Sequence, residues 1–432
     1  MKILLVGSGG REHALAWKLS QSPKCEKLFC APGNAGIADV AECVDVSAED
    51  QEGILKFVQE NQIDFVIVGP EQPLVDGLGS KLREAGISVF GPNTDAAQME
   101  GSKGFMKDFC ARHNIPTAAY ARFKSAEDAK SYVTEQGAPI VLKTDGLAAG
   151  KGVIIAQTIE EAHQNIDEMM SGNAFGSAGE ELVIEEFMDG EELSYFALSD
   201  GENYLALTSA QDHKRVGDGD TGPNTGGMGA YSPARFMDDK LEQKILDKII
   251  APTVEGMKKD GTPFQGVLFA GLMIQNGEPR LIEYNIRFGD PECQPIMMRL
   301  DSDLVDILLA TDTGNLNDFK DKVEWSNKTA LCVVMAANGY PASYEKGTEI
   351  KNATALIELD NANLFHAGTA LDNSGTLVNT GGRVLGVVGL GNSTSEAQSR
   401  AYQGVDLIEW PDGFCRRDIG WRDIEREKAH AA

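Results

Sequence analysis

The segment from Ala138 to Ile155 constrains this chain more than any other. It reads Ala-Pro-Ile-Val-Leu-Lys-Thr-Asp-Gly-Leu-Ala-Ala-Gly-Lys-Gly-Val-Ile-Ile, an apolar run, a glycine-rich turn carrying a lysine, and a second apolar run. Two strands joined in this way form a hairpin flap whose backbone N–H groups can close over a polyphosphate. A P-loop requires Gly-x-x-x-x-Gly-Lys-Ser/Thr opening a helix. Here Lys151 is followed by Gly152 and then by Val153, Ile154 and Ile155, which continue as strand. An ordinary hairpin with a long glycine turn is the alternative reading of the same residues.

Length and charge narrow the function. A chain of 432 residues suggests about three domains. A net charge of −27 argues against nonspecific nucleic-acid binding, which needs a cationic surface. Any anionic substrate must therefore be met by a local positive site, because the global field repels it. The seven cysteines (25, 30, 43, 110, 293, 332, 415) are scattered without a Cys-x-x-Cys pair, so neither a zinc site nor a disulfide framework is expected. The run Met1–Gly7 is too short for a signal peptide and reads as a first strand. No apolar run reaches about 18 residues, so no membrane span is expected and a cytoplasmic location fits best.

Residues 1 to about 102 alternate strands (Ile3–Val6, Phe65–Val68, Ser88–Phe90) with helices (Glu12–Leu19, Val75–Ala85). That alternation predicts a parallel sheet with ligands at the strands' C-terminal ends. Ser102 is placed to cap a helix running through Arg112, and Ile159–Met170 reads as a further helix. Glu181–Phe187 reads as a strand. The glycine-rich stretch from Gln211 to Pro233 reads as a long irregular loop of the functional kind. Gly266–Gln275 and Pro279–Tyr284 form a hairpin around Asn276-Gly277. A smaller strand-rich unit begins near Ser326, with strands at Ala330–Met335 and Arg383–Val388 and a final helix near Ser395–Val405.

Three constellations carry chemistry. The loop Gly7-Ser8-Gly9-Gly10-Arg11-Glu12-His13 lets a phosphate approach a helix N-terminus. Position 12 is Glu, and after the second strand, at Cys30-Ala31-Pro32, no acid appears until Asp39, so a single phosphate suits the loop better than a dinucleotide; a tight structural turn fits it as well. Glu283 and Asn285 lie two apart at a strand end and so share a face. These two hard oxygen donors suit Mg²⁺ that is otherwise held by nucleotide phosphates. Arg287 continues the alternation and can bind a carboxylate or phosphate bidentately. A surface lysine for Glu283 and Asp290 for Arg287 are the purely structural alternatives. The run 211–229 mixes charge, amide, hydroxyl and glycine, as ordered substrate loops do. It lacks the Ser/Glu/Lys bias of disorder, and His213 by itself carries no argument.

Together these segments resemble the phosphoribosylamine–glycine ligase family of the ATP-grasp superfamily, over essentially the whole chain. The matching runs are Gly-Gly-Arg-Glu-His-Ala at 9–14, Ala-Pro-Gly-Asn-Ala-Gly at 31–36, Val-Gly-Pro-Glu at 68–71 and Lys-Thr-Asp-Gly-Leu-Ala-Ala-Gly-Lys-Gly at 143–152. They continue with Gln-Asp-His-Lys-Arg at 211–215, Thr-Gly-Pro-Asn-Thr-Gly-Gly-Met-Gly at 221–229, Arg-Phe-Gly-Asp-Pro-Glu at 287–292, Phe-His-Ala-Gly-Thr at 365–369 and Gly-Gly-Arg-Val-Leu at 381–385. The resemblance implies an α/β protein with an ATP-grasp fold. An N-terminal parallel-sheet domain (pre-ATP-grasp, Rossmann-like) would span 1–102. The ATP-grasp domain would span 103–325, with a flap subdomain at about 117–192 and a central subdomain at 193–325, and a small strand-rich domain 326–432.

The resemblance implies ligation of glycine to 5-phosphoribosylamine through glycyl phosphate, with ATP going to ADP and phosphate, in de novo purine synthesis. Mg²⁺ or Mn²⁺ would be the cofactor, held by Glu283 and Asn285. Lys103, Lys143, Gly150, Lys151, Gly152, Glu185, Glu186, Phe187 and Glu192 would serve ATP. Gly9, Gly10, Gly33, Asn34, Gly36, Glu71, Asp212, Lys214, Arg215, Thr225, Gly226, Gly227 and Met228 would face the other substrates. Arg287 and Asp290 would lie by the reacting carboxylate. The enzyme is expected to act as a monomer on small molecules, with a single activity because the chain stops at Ala432.

The alternatives are another ATP-grasp carboxylate–amine ligase or a biotin-type carboxylase, from which the 211–229 run departs. A nicotinamide-dependent oxidoreductase rests on the first loop alone, and a binding protein without turnover rests on the nucleotide signals alone. One departure concerns metal count. The strand before Glu283, Leu268–Met273, carries no acid, so a second metal would lean on phosphates and water.

Overall fold

A computed structural model describes residues 1–147, 152–171 and 181–431. Its first sheet is parallel and five-stranded, in the order Glu42–Cys43, Lys27–Pro32, Lys2–Gly7, Phe65–Val68, Ser88–Phe90. Ile3, Leu4, Leu5 and Val6 are all fully buried, as strands covered on both faces must be. The order reverses between Lys2–Gly7 and Phe65–Val68. This is the switch point at which open parallel sheets hold ligands, and the turns at Ser8–Gly9 and Gly69–Glu71 open there.

Two expected elements differ. Val75–Ala85 is two helices, Glu71–Val75 and Leu78–Glu84, broken at Asp76-Gly77 because Gly77 adopts φ +103°. A further helix, Gln51–Asn61, stands where none was read.

The second sheet is antiparallel, ordered Tyr120–Phe123, Leu182–Glu186, Ile140–Thr144, Val153–Ala156, with helices Ala126–Gln136 and Ile159–Met170 on one side. The expected hairpin strands around the glycine turn are therefore present, while Gly150 and Lys151 lie outside the described residues. The third sheet has nine strands: eight run without a break from Glu278–Asn285 through Gln265–Gln275, Glu191–Asp200, Tyr204–Asp212 and Gly229–Ser232 to Thr329–Ala337, Arg383–Gly391 and Ala362–His366, and the ninth, Gly413–Phe414, pairs with Thr329–Ala337 off that path. Asn276 and Gly277 take φ +53° and +71°, the left-handed pair that a two-residue hairpin turn requires.

The stretch 211–233 is a correction. Arg215–Gly217 pairs with Thr221–Asn224 in a small hairpin, and Gly229–Ser232 inserts into the large sheet between Tyr204–Asp212 and Thr329–Ala337. Distant ion pairs order it. Arg416, 1% exposed, binds Asp220 at 2.9 Å and Asp418 at 2.8 Å, and Asp418 accepts the Gly219 N–H. Residue pattern near the loop could not reveal a partner about 200 positions away. The chain also adds a helix, Trp421–Ala431, after Thr394–Leu407, so the latter is not the last.

The N-terminal and C-terminal units meet at two histidines, His13 buried and His366 half-buried. His13 Nδ1 accepts the His366 N–H at 2.7 Å, and His13 stands edge-on to Phe365 at 5.5 Å. Burial, then the neighbouring imidazole, lowers His13 from 6.5 to about 3; burial lowers His366 to about 4. Both folded values lie below the unfolded one, so the stability they confer is present above pH 6.5 and drains as pH falls toward 4. We expect the melting temperature to fall across that window, and His13→Asn, which keeps an acceptor for His366, to flatten part of the slope. Melts at stepped pH with parallel slopes for both proteins would refute this.

Candidate active site

The cleft lies between the second sheet and the edge of the third. Lys143 and Glu185 sit on adjacent antiparallel strands. The Glu185 carboxylate, 2% exposed, takes Lys143 at 2.9 Å and Lys107 at 2.8 Å. Lys107 comes from the helix Lys103–His113, whose Ser102 cap accepts the Phe105 N–H at 3.0 Å, as expected. Lys143 also reaches the Ile282 carbonyl at 3.4 Å, across to the third sheet. Lys103 donates to the Gly146 carbonyl at 2.7 Å, while Asp145 accepts from Ser102 Oγ and the Gly104 N–H. The root of the glycine turn is thereby tied to the helix that carries both lysines. Gly152 accepts the Thr144 N–H at 2.9 Å. Glu186 points outward and pairs with Arg280, and Phe187 is half-buried beside it. Glu192 is paired with Lys214 at 2.8 Å.

Facing the lysines is the strand Glu278–Asn285. Tyr284, Ile286 and Phe288 enter the core while Glu283, Asn285 and Arg287 are half-buried on the other side, so the period-2 reading holds past the end of the strand at Asn285 as far as Phe288. Glu283 is opposite Gly271 and Asn285 is opposite Phe269, which leaves no acid across the ladder. Burial pushes the Glu283 carboxyl up, but Lys214, Lys143, Lys103 and Arg287 together outweigh it and hold it below its ordinary value. Neither the Glu283 carboxylate nor the Asn285 amide has a hydrogen-bond partner among the described residues. Nor do those residues bring three His, Cys, Asp or Glu together as a metal site. The available donors are thus two free oxygens, which fits a hard cation completed by phosphate and water and does not fit an all-protein cage.

Arg287 is held by two acids, Glu71 at 3.1 Å and Glu100 at 3.0 Å. Glu100 also accepts the Ile286 N–H at 2.8 Å; burial raises it to about 7 against the pull of Arg287. Burial also acts to raise Glu71, but Arg287 and Arg11 bring it down to about 2. Asp290 accepts from Gln294 Nε2 at 2.8 Å and lies 3.4 Å from Arg383. A polar cavity of about 300 Å³ opens beside it at the switch point of the first sheet, lined by Ser8, Gly9, Gly33, Thr369 and Arg383 among others.

Other expected site residues are tied up within the protein. Asn34 donates to the Ser8 and His366 carbonyls at 2.8 Å each and accepts from Gly36 and Ile37, although it also lines the cavity. Gly36 is packed under His13 and His366; a Cβ there would come within 2.4 Å of His13. Gly10 opens the first helix, buried against Gln294. Asp212 is half-buried; desolvation and nearby Glu292 raise it, and Lys214 and Arg383 counter them. Thr225 Oγ1 donates to the Lys214 carbonyl, the Gly226 N–H donates to Tyr340 OH, and Gly227 turns at φ +112° beside Asp212. The Met228 side chain lies in a hydrophobic core and Arg215 donates to Gly222 inside its own hairpin, so neither side chain reaches the cleft. Arg383, Thr369 and Tyr340 were not foreseen as lining residues, although the runs at 365–369 and 381–385 had stood out.

Two sheets gripping a cleft of lysines on one side and oxygen donors on the other define an ATP-grasp fold. A biotin carboxylase domain from Hydrogenobacter thermophilus, 17% identical, superposes with a TM-score of 0.72 over 96% of this chain and 91% of its own. Models of phosphoribosylglycinamide synthetase match three stretches: the N domain at 1–100, the ATP-grasp (A) domain at 101–293 and the C domain at 330–422. The phosphoribosylamine–glycine ligase of Agrobacterium fabrum is 60% identical, covering 99% of this chain and all of that one. That of Escherichia coli O157:H7 is 53% identical over 99% of this chain and its own full length. The crystal structure of the Thermotoga maritima phosphoribosylamine–glycine ligase, 33% identical, gives a TM-score of 0.86 over 97% of this chain and all of that one. The chain belongs to the phosphoribosylglycinamide synthetase family, and the fold expected from its sequence is the fold found.

Proposed function

We infer that this chain is a ligase that joins glycine to 5-phosphoribosylamine, giving glycinamide ribonucleotide, ADP and phosphate, in purine biosynthesis. The observation that carries the chemistry is the pair of unpartnered oxygens on Glu283 and Asn285 facing Lys103, Lys143 and Lys214. ATP would lie with its adenine along Glu185–Phe187, its ribose at Glu192 and its phosphates toward Lys103 and Lys143, beneath the 145–152 turn. Glu283 and Asn285 would hold Mg²⁺ or Mn²⁺ on those phosphates, where the ion would neutralise developing charge. Glycine's carboxylate, steadied by Arg287, attacks the γ-phosphate to give glycyl phosphate.

The cavity at Ser8, Gly9 and Gly33, with Arg383 as its cation, suits the phosphate of phosphoribosylamine, whose amine then displaces phosphate from the acyl carbon. Asp290 lines that cavity and would orient the incoming amine, with Arg287 by the reacting carboxylate. No protein nucleophile is required, and rate comes from positioning and charge neutralisation. We read the enzyme as a monomer acting on small molecules. Among the described residues no helix is long and apolar enough to cross a membrane, and we read the enzyme as cytoplasmic.

The test is ADP release by the purified protein with ATP, Mg²⁺, glycine and freshly generated phosphoribosylamine, omitting one component at a time. Release that needs all of them, with glycinamide ribonucleotide seen by mass spectrometry, is expected. Release that persists without glycine or without the amine would overturn the assignment.

A further inference from the structure

The helix Trp421–Ala431 touches none of the residues assigned to substrates, yet one of its arginines is wired to them. Arg426 pairs with Glu191 at the start of the strand Glu191–Asp200. The other Glu191 oxygen accepts Gln211 Nε2 at 2.9 Å, and the same nitrogen donates to the Glu192 carbonyl at 2.8 Å. Gln211 Oε1 accepts Tyr231 OH at 2.6 Å, so the amide, 2% exposed, is held at both ends. Glu191 and Glu192 are neighbours on a strand and point to opposite faces. The first faces the terminal helix. The second faces the cleft, where it pairs with Lys214, the leading cation acting on Glu283.

We propose that Arg426 is a positioning residue for the nucleotide: through Glu191 and Gln211 it fixes the backbone at Glu192 and so places Glu192 and Lys214. This rests on the reading that Glu192 faces ATP. The contacts are charge-assisted at the arginine and buried at the glutamine, where a lost partner is felt most. The helix does not depend on Arg426 for its docking. Asp423 accepts Thr394 Oγ1 at 2.5 Å, Glu427 accepts the N–H groups of Thr394 and Ser395 at 2.6 and 3.1 Å, and Arg422 binds Asp220 at 2.6 Å. Removal of Arg426 therefore separates positioning from folding.

The experiment is steady-state kinetics of the full chain for Arg426→Ala, Arg426→Lys and Glu191→Gln, with Glu192→Ala as reference, varying ATP and glycine separately. Arg426→Ala should raise KM for ATP roughly five- to tenfold, inside the roughly 2- to 150-fold span of coupling between neighbours, while kcat and KM for glycine stay within about twofold. Arg426→Lys should recover most of the loss. Adding Arg426→Ala to Glu191→Gln should cost less than the product of the two. Equal effects on both substrates, or a lowered melting temperature with unchanged KM for ATP, would overturn the proposal. Should Arg426→Ala not fold, Arg426→Lys and Glu191→Gln decide it by the same split. An unchanged KM for ATP in Glu192→Ala would instead overturn the placement of the nucleotide on which the proposal stands.

Discussion

Replacing Glu283 with alanine should lower kcat by about three orders of magnitude or more, the scale seen when a preorganised charge at a phosphoryl-transfer site is lost. Among the described residues of this strand pair it is the one carboxylate turned to the lysines, because Gly271 stands opposite it and Asn285 is neutral. Lys214, Lys143, Lys103 and Arg287 surround it and keep it ionised, so a cation can bind without first displacing a proton. Without it, Asn285 alone would have to hold a divalent ion against four positive side chains, which excess Mg²⁺ cannot repair. The fold should survive. Glu283 makes no hydrogen bond among the described residues, and its neighbours Lys143 and Lys214 keep Glu185 and Glu192 as partners. Far-UV circular dichroism and melting should therefore match the parent. Activity restored at saturating Mg²⁺ would remove Glu283 from the metal's coordination and with it the assignment of this face.

How much of this was legible beforehand follows from range. The alternation of Glu283, Asn285 and Arg287, the Asn276-Gly277 turn and the Ser102 cap are each decided within about four residues, and each stands as read. The parallel first sheet was readable from its strand–helix alternation. What was missed depends on partners far along the chain. Glu100 holds the backbone of Ile286 across 186 positions, and Arg383 holds the Asp290 carbonyl across 93. Glycine content around 211–233 signalled a loop, yet Arg416 and Asp418 order it from the far end of the chain. Glycine shows where a backbone can turn; it does not show what will pin it. Met228 fails as a contact for a related reason: a specific motif marks a stretch of chain, and which of its side chains face inward is set by packing.

Lys107 is the clearest instance, since nothing around it in sequence distinguished it, and it supports the second large effect. Glu185→Ala should destabilise the fold by about 3–5 kcal/mol, the range for removing one member of a buried ionic group. The carboxylate is 2% exposed and lies between two ammonium groups that are 0% and 4% exposed. Its loss would strand both positive charges in a dry site, where each retains one neutral partner, Thr117 Oγ1 for Lys107 and the Ile282 carbonyl for Lys143. The variant should also gain stability with rising pH more steeply than the parent does. Burial already lowers Lys107 below its ordinary value while Glu185 opposes the drop; without that opposition the folded value falls further below the unfolded 10.5. The unfolded chain then binds more protons than the folded one, so the stability of Glu185→Ala should rise as pH increases through the alkaline range toward 10.5. Urea unfolding followed by circular dichroism at pH 7.5 and pH 9.5 tests both parts. A midpoint that barely moves at pH 7.5, or a deficit that grows toward alkaline pH, would mean that Glu185 does not neutralise the two lysines and that the pair is held by some other charge.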